Sequence, residues 1–159
     1  MTYQVYLHQI FIMENLNDVV FHVLEKTIRT YRQFAQQQIR KSGLEITIDQ
    51  WLVLKNLSDN PGISQRALSD AIFKDGASVT RILENLVTQK YVARKVMKDD
   101  KRRYELAITP AGKKAITSVQ RILDKNSQIA LNTIEAKKLK SAKKTLQTIQ
   151  ENCAAKMGR

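Results

Sequence analysis

Residues 98–110 read KDDKRRYELAITP, six charged side chains from Lys98 to Arg103 running straight into an alternating apolar strand. Two chemistries suit such a hairpin tip. One is a solvated turn. The other is a phosphate contact, with cations for the anion and a carboxylate to hold a cation in place. A second cluster lies in ASVTR, where Ser78 and Thr80 set hydroxyls beside the Arg81 guanidinium. Covalent chemistry has no comparable candidates: the chain carries no H-E-x-x-H, no paired cysteines, no Gly-rich phosphate loop and no G-x-S-x-G. His8 and His22 stand far apart and are assigned to packing or surface. No enzyme activity, metal or cofactor is therefore expected.

The 159 residues carry a net charge of +12, which favours a polyanionic partner, nucleic acid or an anionic membrane. The charge is uneven. Residues 1–60 hold six basic and six acidic side chains, residues 61–109 ten and six, and residues 110–159 eleven and three. The single cysteine, Cys153, excludes an internal disulfide framework and fits a reducing compartment. No stretch approaches the length of a membrane span, so a cytoplasmic protein with no membrane partner is expected. The opening YQVYLHQIFIM lacks a positive n-region and an A-x-A-like site. It reads as an ordered arm, or as residues ahead of a start at Met13, and not as a signal peptide.

The elements that must position these clusters are mostly helical. Residues 14–41 predict one long helix with two apolar stripes, Leu16, Val20, Val23, Thr27 and Phe21, Leu24, Ile28, Tyr31, Ala35, Ile39, closed by Ser42-Gly43. TIDQ predicts a capping box from Thr47 and Gln50, with Trp51, Leu54 and Leu57 as the core stripe behind it. Ser64 caps SQRALSDAIF, with Ala67, Leu68, Ala71 and Ile72 expected inward. Asp75 is the expected N-cap of the next helix, ASVTRILENLVTQ. There Val79, Ile82, Leu83, Leu86 and Val87 form a buried face, and Ala77, Arg81, Asn85 and Thr88 the opposite one. Two such helices around a short Gly-containing turn are a helix-turn-helix. YVARKVMK and RYELAIT predict a hairpin, Thr109-Pro110 a new helix start. Helices over about 110–133 and 135–155 follow, the last with a seam of Leu139, Ala142, Leu146, Ile149 and Cys153.

This order resembles a winged helix-turn-helix, and ASVTRILENLVTQKYVARKVMKDDKRRYELAITPAGKKA is similar to the signature region of MarR-family transcriptional regulators. Asp100-Lys101-Arg102 matches the family's D-x-R wing, Ile108-Thr109-Pro110-Ala111-Gly112 its L/I-T-P-x-G helix start, and TIDQWLVLKNL its T-x-x-Q-W-x-V-L-x-x-L helix. The resemblance spans roughly residues 15–150. Lys90 departs from it, standing where many members have Gly after the reading helix.

The resemblance implies a mainly α fold with a small β-hairpin wing. Residues 1–45 would be an N-terminal arm and dimerisation helix, 46–109 the winged helix-turn-helix, and 110–159 C-terminal dimerisation helices. It also answers the question of the tip. Arg102 is expected in or beside the minor groove, whose negative potential suits a guanidinium. Asp100 would orient that cation or a neighbour, and Lys101 and Arg103 would contact phosphates. On the reading helix Ala77, Ser78, Thr80 and Arg81 are expected at base edges, Arg81 bidentate to guanine. Gln65 and Arg66 suit backbone phosphates, and Glu84 should lie off the contact line or pair with Arg81.

The expected partners are a pseudo-palindromic DNA operator and a second copy of the chain, joined through the outer helices. A small phenolic or amphipathic effector is implied by the resemblance alone. Its binding residues are not assigned, since His22, Tyr31 and Trp51 read as core. Cys153, on an apolar stripe, is expected to pack. Lys137, Lys138, Lys140, Lys143 and Lys144 flank the seam and read as solvated. The chain is therefore expected to be a dimeric, sequence-specific regulator, with a non-specific DNA-binding architectural protein as the alternative.

Overall fold

The computed structural model describes residues 18–96 and 104–157. In chain order the elements are α1 (Val20–Lys41), α2 (Ile48–Asp59), α3 (Gln65–Ile72), α4 (Gly76–Thr88), β1 (Val92–Val96), β2 (Tyr104–Ile108), α5 (Pro110–Ala130) and α6 (Ala136–Lys156). The architecture is the expected mainly helical one with a single hairpin. The chain divides into two units, the first ending at Asn126 and the second starting at Ser127.

Short polar signals set the helix starts in the first unit. Thr47 Oγ1 accepts the Gln50 N–H at 3.1 Å while Gln50 Oε1 accepts the Thr47 N–H at 2.8 Å, completing the capping box on α2. Ser64 Oγ accepts the Ala67 N–H at 3.1 Å and so starts α3. α1 begins later than its periodicity suggests. Asp18 lies in a short 3₁₀ turn, and Val19, extended and with no side-chain cap, precedes the first helical residue. Apolar spacing defines a stripe; it does not define a start where no capping residue stands. Residues 14–17 of that pattern lie outside the described residues.

The core gathers Ile39 of α1, Val53 and Leu54 of α2, Leu68 and Ile72 of α3, and Val79, Leu83 and Leu86 of α4, with Val92 and Val119. The buried face of α4 is thus the one its spacing predicts, with Ile82 and Val87 partly buried against it. Trp51 is half-buried instead of central, its indole N–H donating to Ile116 O at 3.3 Å. α3 corrects the sequence reading. Ala67 and Ala71 are exposed, and Ser69 is buried with its hydroxyl donating to Gln65 O at 2.9 Å. Leu68 and Ile72 bury far more apolar area than alanines do, so they set the rotation of this short helix.

β1 and β2 pair antiparallel from Val92↔Ile108 to Val96↔Tyr104. Leu106 and Ile108 turn onto the core. Just beyond, α5 crosses close to the exit of α4. A Cβ on Gly112 would lie 2.3 Å from Tyr91 O, so only glycine fits there. In the second unit α5 ends at Ala130 and α6 starts at Ala136, a longer break than expected, with Thr133 at φ 67° in the turn. α6 buries none of its residues. Leu139 and Leu146 are 41% and 39% exposed, and Cys153 is exposed too, so the packing expected of that thiol is not found among the described residues. Among the described residues no helix is long and apolar enough to cross a membrane, and no group of three His, Cys, Asp or Glu side chains is placed to hold a metal ion.

Candidate nucleic-acid interface

The candidate reading surface starts at the cap of α4. Asp75 Oδ1 accepts the Ser78 N–H at 2.8 Å, and Ser78 Oγ donates to Asp75 Oδ2 at 2.7 Å. The two hydrogen bonds from Ser78, hydroxyl first and then backbone, hold the Asp75 carboxyl below its ordinary value. The Ser78 donor is thereby committed to the cap. Its oxygen keeps lone pairs for a base amino group.

Thr80 and Gln65 are likewise engaged. Thr80 Oγ1 donates to Gly76 O at 2.9 Å and accepts from Gln65 Nε2 at 2.5 Å. Gln65 therefore ties the start of α3 to the first turn of α4, and reaching a phosphate would require it to release Thr80. Arg66, next along, is exposed and lines a shallow recess of about 500 Å³ with Gln65, Ser69, Asp70, Lys74 and the start of α4.

Ala77, Arg81, Asn85 and Thr88 are all exposed along the outer face of α4, as their spacing requires. Glu84 is exposed as well and makes no ion pair with Arg81 among the described residues. At 100° per residue it stands about 60° around the helix from Arg81 and about 20° from Ala77, so it shares the outer face. The ladder of the hairpin carries the chain out to Val96 and back from Tyr104. Asp100, Lys101, Arg102 and Arg103, assigned above to the tip, lie outside the described residues.

Three residues that hold this surface in place escaped the sequence reading as a linked set. Asp49, in the first turn of α2, accepts from the Arg32 guanidinium of α1 through Oδ1, and its Oδ2 lies 3.0 Å from Lys74 Nζ in the turn between α3 and α4. Burial alone would push the Asp49 carboxyl up, but hydrogen bonds from Lys74 and Arg32 and their charges outweigh it and hold the group down. The cations come from segments 17 and 25 residues away on opposite sides, so no local spacing announces the link.

The exits of both helices are closed in the same way. Lys74 N–H donates to Ser69 O at 3.0 Å and Phe73 N–H to Asp70 O at 3.3 Å. At the end of α4, Tyr91 N–H donates to Leu86 O at 2.9 Å and Lys90 N–H to Val87 O at 3.0 Å. Both are Schellman closures with a left-handed residue, Phe73 at φ 55° and Lys90 at φ 61°. Lys90 thus adopts the conformation for which glycine is the usual residue, and the exit of α4 keeps its geometry.

A family model described as MarR family matches residues 42–103, from the end of α1 into the hairpin. A putative transcriptional regulatory protein for the hcr operon of Thauera aromatica is 30% identical over 108 residues, 68% of this chain and 64% of its own length. The chain thus spans a little under two thirds of that relative. Among solved structures, Bordetella bronchiseptica BpsR, whose DNA binding is regulated by 6-hydroxynicotinic acid, aligns with a TM-score of 0.75 at 21% identity, covering 87% of this chain and 97% of its own. The S. aureus MepR–DNA complex aligns with a TM-score of 0.72 at 21% identity, covering 85% and 96%. At these identities the structural likeness establishes the winged-helix fold.

Proposed function

We propose that the chain, which matches the MarR family model over residues 42–103 and a regulatory protein at 30% identity, is a MarR-type regulator: a homodimeric, sequence-specific DNA-binding transcriptional regulator, not an enzyme. One observation carries the reading: the exposed outer face of α4, with Arg81 at its centre and its first turn locked by Asp75, Ser78 and Gln65. A helix presented this way, capped and braced on a rigid core, suits insertion of its N-terminal residues into a major groove. The basic tip, through Arg102 in or beside the minor groove with Asp100, Lys101 and Arg103 around it, would extend the contact. Repression, and release by a small phenolic or amphipathic effector, complete the proposal. Effector control is supported by the BpsR relative, whose DNA binding responds to a small aromatic acid. A cytoplasmic location goes with this role.

The decisive experiment selects duplexes from a random pool with the full-length chain. The best of them and a scrambled copy are then titrated by fluorescence anisotropy at several salt concentrations. A preference of ~10³-fold or more is expected for a specific regulator. Equal, steeply salt-dependent binding to both would replace this reading with a non-specific architectural role, which the eleven basic against three acidic residues of the 110–159 segment favour.

A further inference from the structure

Among the described residues, three that are not glycine sit at positive φ: Phe73, Lys90 and Thr133, at 55°, 61° and 67°. Phe73 stands apart from the other two. The left-handed region is sterically costly for a side chain with a Cβ and rare for a bulky one. The same chain uses glycine for it at Gly43 and Gly62. A ring kept in such a conformation is normally compensated by core packing, and Phe73 has none. It is 93% exposed, whereas Met157, the next most exposed large apolar side chain, is 64% exposed.

The ring's attachment is nevertheless held from both sides. The Schellman hydrogen bonds close α3 beneath it. Lys74 is tied to Asp49 at 3.0 Å, and Asp75 caps α4 two residues on. The exposed ring thus stands on a braced turn at the entrance to α4, the end that carries Ala77, Ser78 and Arg81. Arg66 and Lys74 line the recess on this same turn. The lining of that recess balances Arg66 and Lys74 against Asp70 and Asp75. What the turn adds beside the end of α4 is therefore a bare ring, which suits a partner that offers apolar surface there. Duplex DNA does so, through the deoxyribose faces and thymine methyls of its groove wall.

We propose that Phe73 is a DNA-contacting, specificity-determining residue whose ring packs on that apolar wall as the N-terminus of α4 enters the groove. The proposal rests on the DNA-binding reading above and adds to it a contact that the charged and hydrogen-bonding residues do not supply. On this account the strained conformation serves the contact and not the fold.

The test uses the full-length chain and the duplex it enriches from a random pool, with affinity, melting temperature and sedimentation measured on each variant. Phe73→Gly is expected to raise Tm by about 2–4 °C, because glycine takes the left-handed conformation without strain. It is also expected to weaken the selected duplex about tenfold, the loss of a partly buried ring. The salt slope should not change, since no phosphate contact is removed. Phe73→Tyr, which keeps the ring, should bind within about twofold of wild type. Replacing thymines by deoxyuracil separates the two kinds of wall. A position that matters to wild type and not to Phe73→Gly marks a methyl contact, and the absence of such a position marks deoxyribose. If Phe73→Gly binds the duplex as tightly as wild type, the proposal is overturned while DNA binding stands. If its affinity falls only in step with a shift from dimer to monomer, the ring belongs to a contact between copies and the proposal is equally overturned. A wild-type chain that enriches no duplex overturns the DNA-binding reading, and this proposal with it.

Discussion

Arg81 and Asp49 divide the work at the scale of single residues. Arg81 is exposed on the outer face of α4 and suits a base edge, whereas Asp49 acts from behind, holding Arg32 and Lys74 in place. Arg81→Ala should cost about 1–3 kcal/mol of binding and relax preference at one base position, whereas Arg102→Ala should weaken every duplex and lower the salt slope by about one. Titrations of matched and mismatched duplexes decide this; equal losses on both for Arg81→Ala would make it a phosphate contact. For Asp49 the prediction concerns pH. Its carboxyl is held below its ordinary value, so the stability it contributes is fully present above the unfolded value of about 3.9 and is lost as pH falls through the native one. Asp49→Asn should therefore be least stable relative to wild type near neutrality, with the gap closing below about pH 4. Denaturant unfolding across that range measures the gap, and a constant one would mean that the ion pairs contribute nothing.

The elements show where local sequence and tertiary fit pull apart. The exit of α4 is closed by Lys90 at φ 61°, a conformation that glycine adopts more readily. Lys90→Gly should raise stability by about 0.5–1 kcal/mol, seen as a higher Tm with unchanged circular dichroism. A drop in Tm would mean that the lysine stem packs enough to outweigh its strain. The opposite case lies at the start of α5. A Cβ on Gly112 would meet Tyr91 O at 2.3 Å, backbone against backbone, with Ile108 Cγ2 at 2.8 Å. Gly112→Ala should cost about 2–3 kcal/mol, because α5 must move off the α4 exit. If the variant melts like wild type, the two segments are not in firm contact.

At the scale of the whole molecule the open question is what covers the outer helices. Val20, Phe21 and Ile28 of α1 are 60%, 63% and 59% exposed, and α6 buries no residue at all. Apolar stripes of this extent mark an interface, and the homodimer proposed above would cover them with a second copy. The double variant Leu139→Glu/Leu146→Glu should sediment as a monomer. Its affinity for a two-half-site duplex should fall to that for a single half-site. A stable dimer of this variant would exclude the α6 seam from the interface.

Much of this molecule was legible in its sequence because the signals are local. The capping residues Thr47, Ser64 and Asp75 and the i, i+3, i+4 stripe of α4 each act within a few residues, and each holds in the structure. The outer face of α4 follows from that stripe by subtraction. What only the tertiary structure decided are relations between distant segments. The rotation of α3 was settled by packing, which chose Ser69 over Ala67 and Ala71. The joining of Arg32, Asp49 and Lys74, the commitment of Gln65 to Thr80, and the approach of α5 that leaves room only for Gly112 were settled the same way. The physical reason is that a cap or a stripe is determined by neighbours along the chain. An ion pair or a backbone crossing is determined by which segments the hydrophobic core brings together.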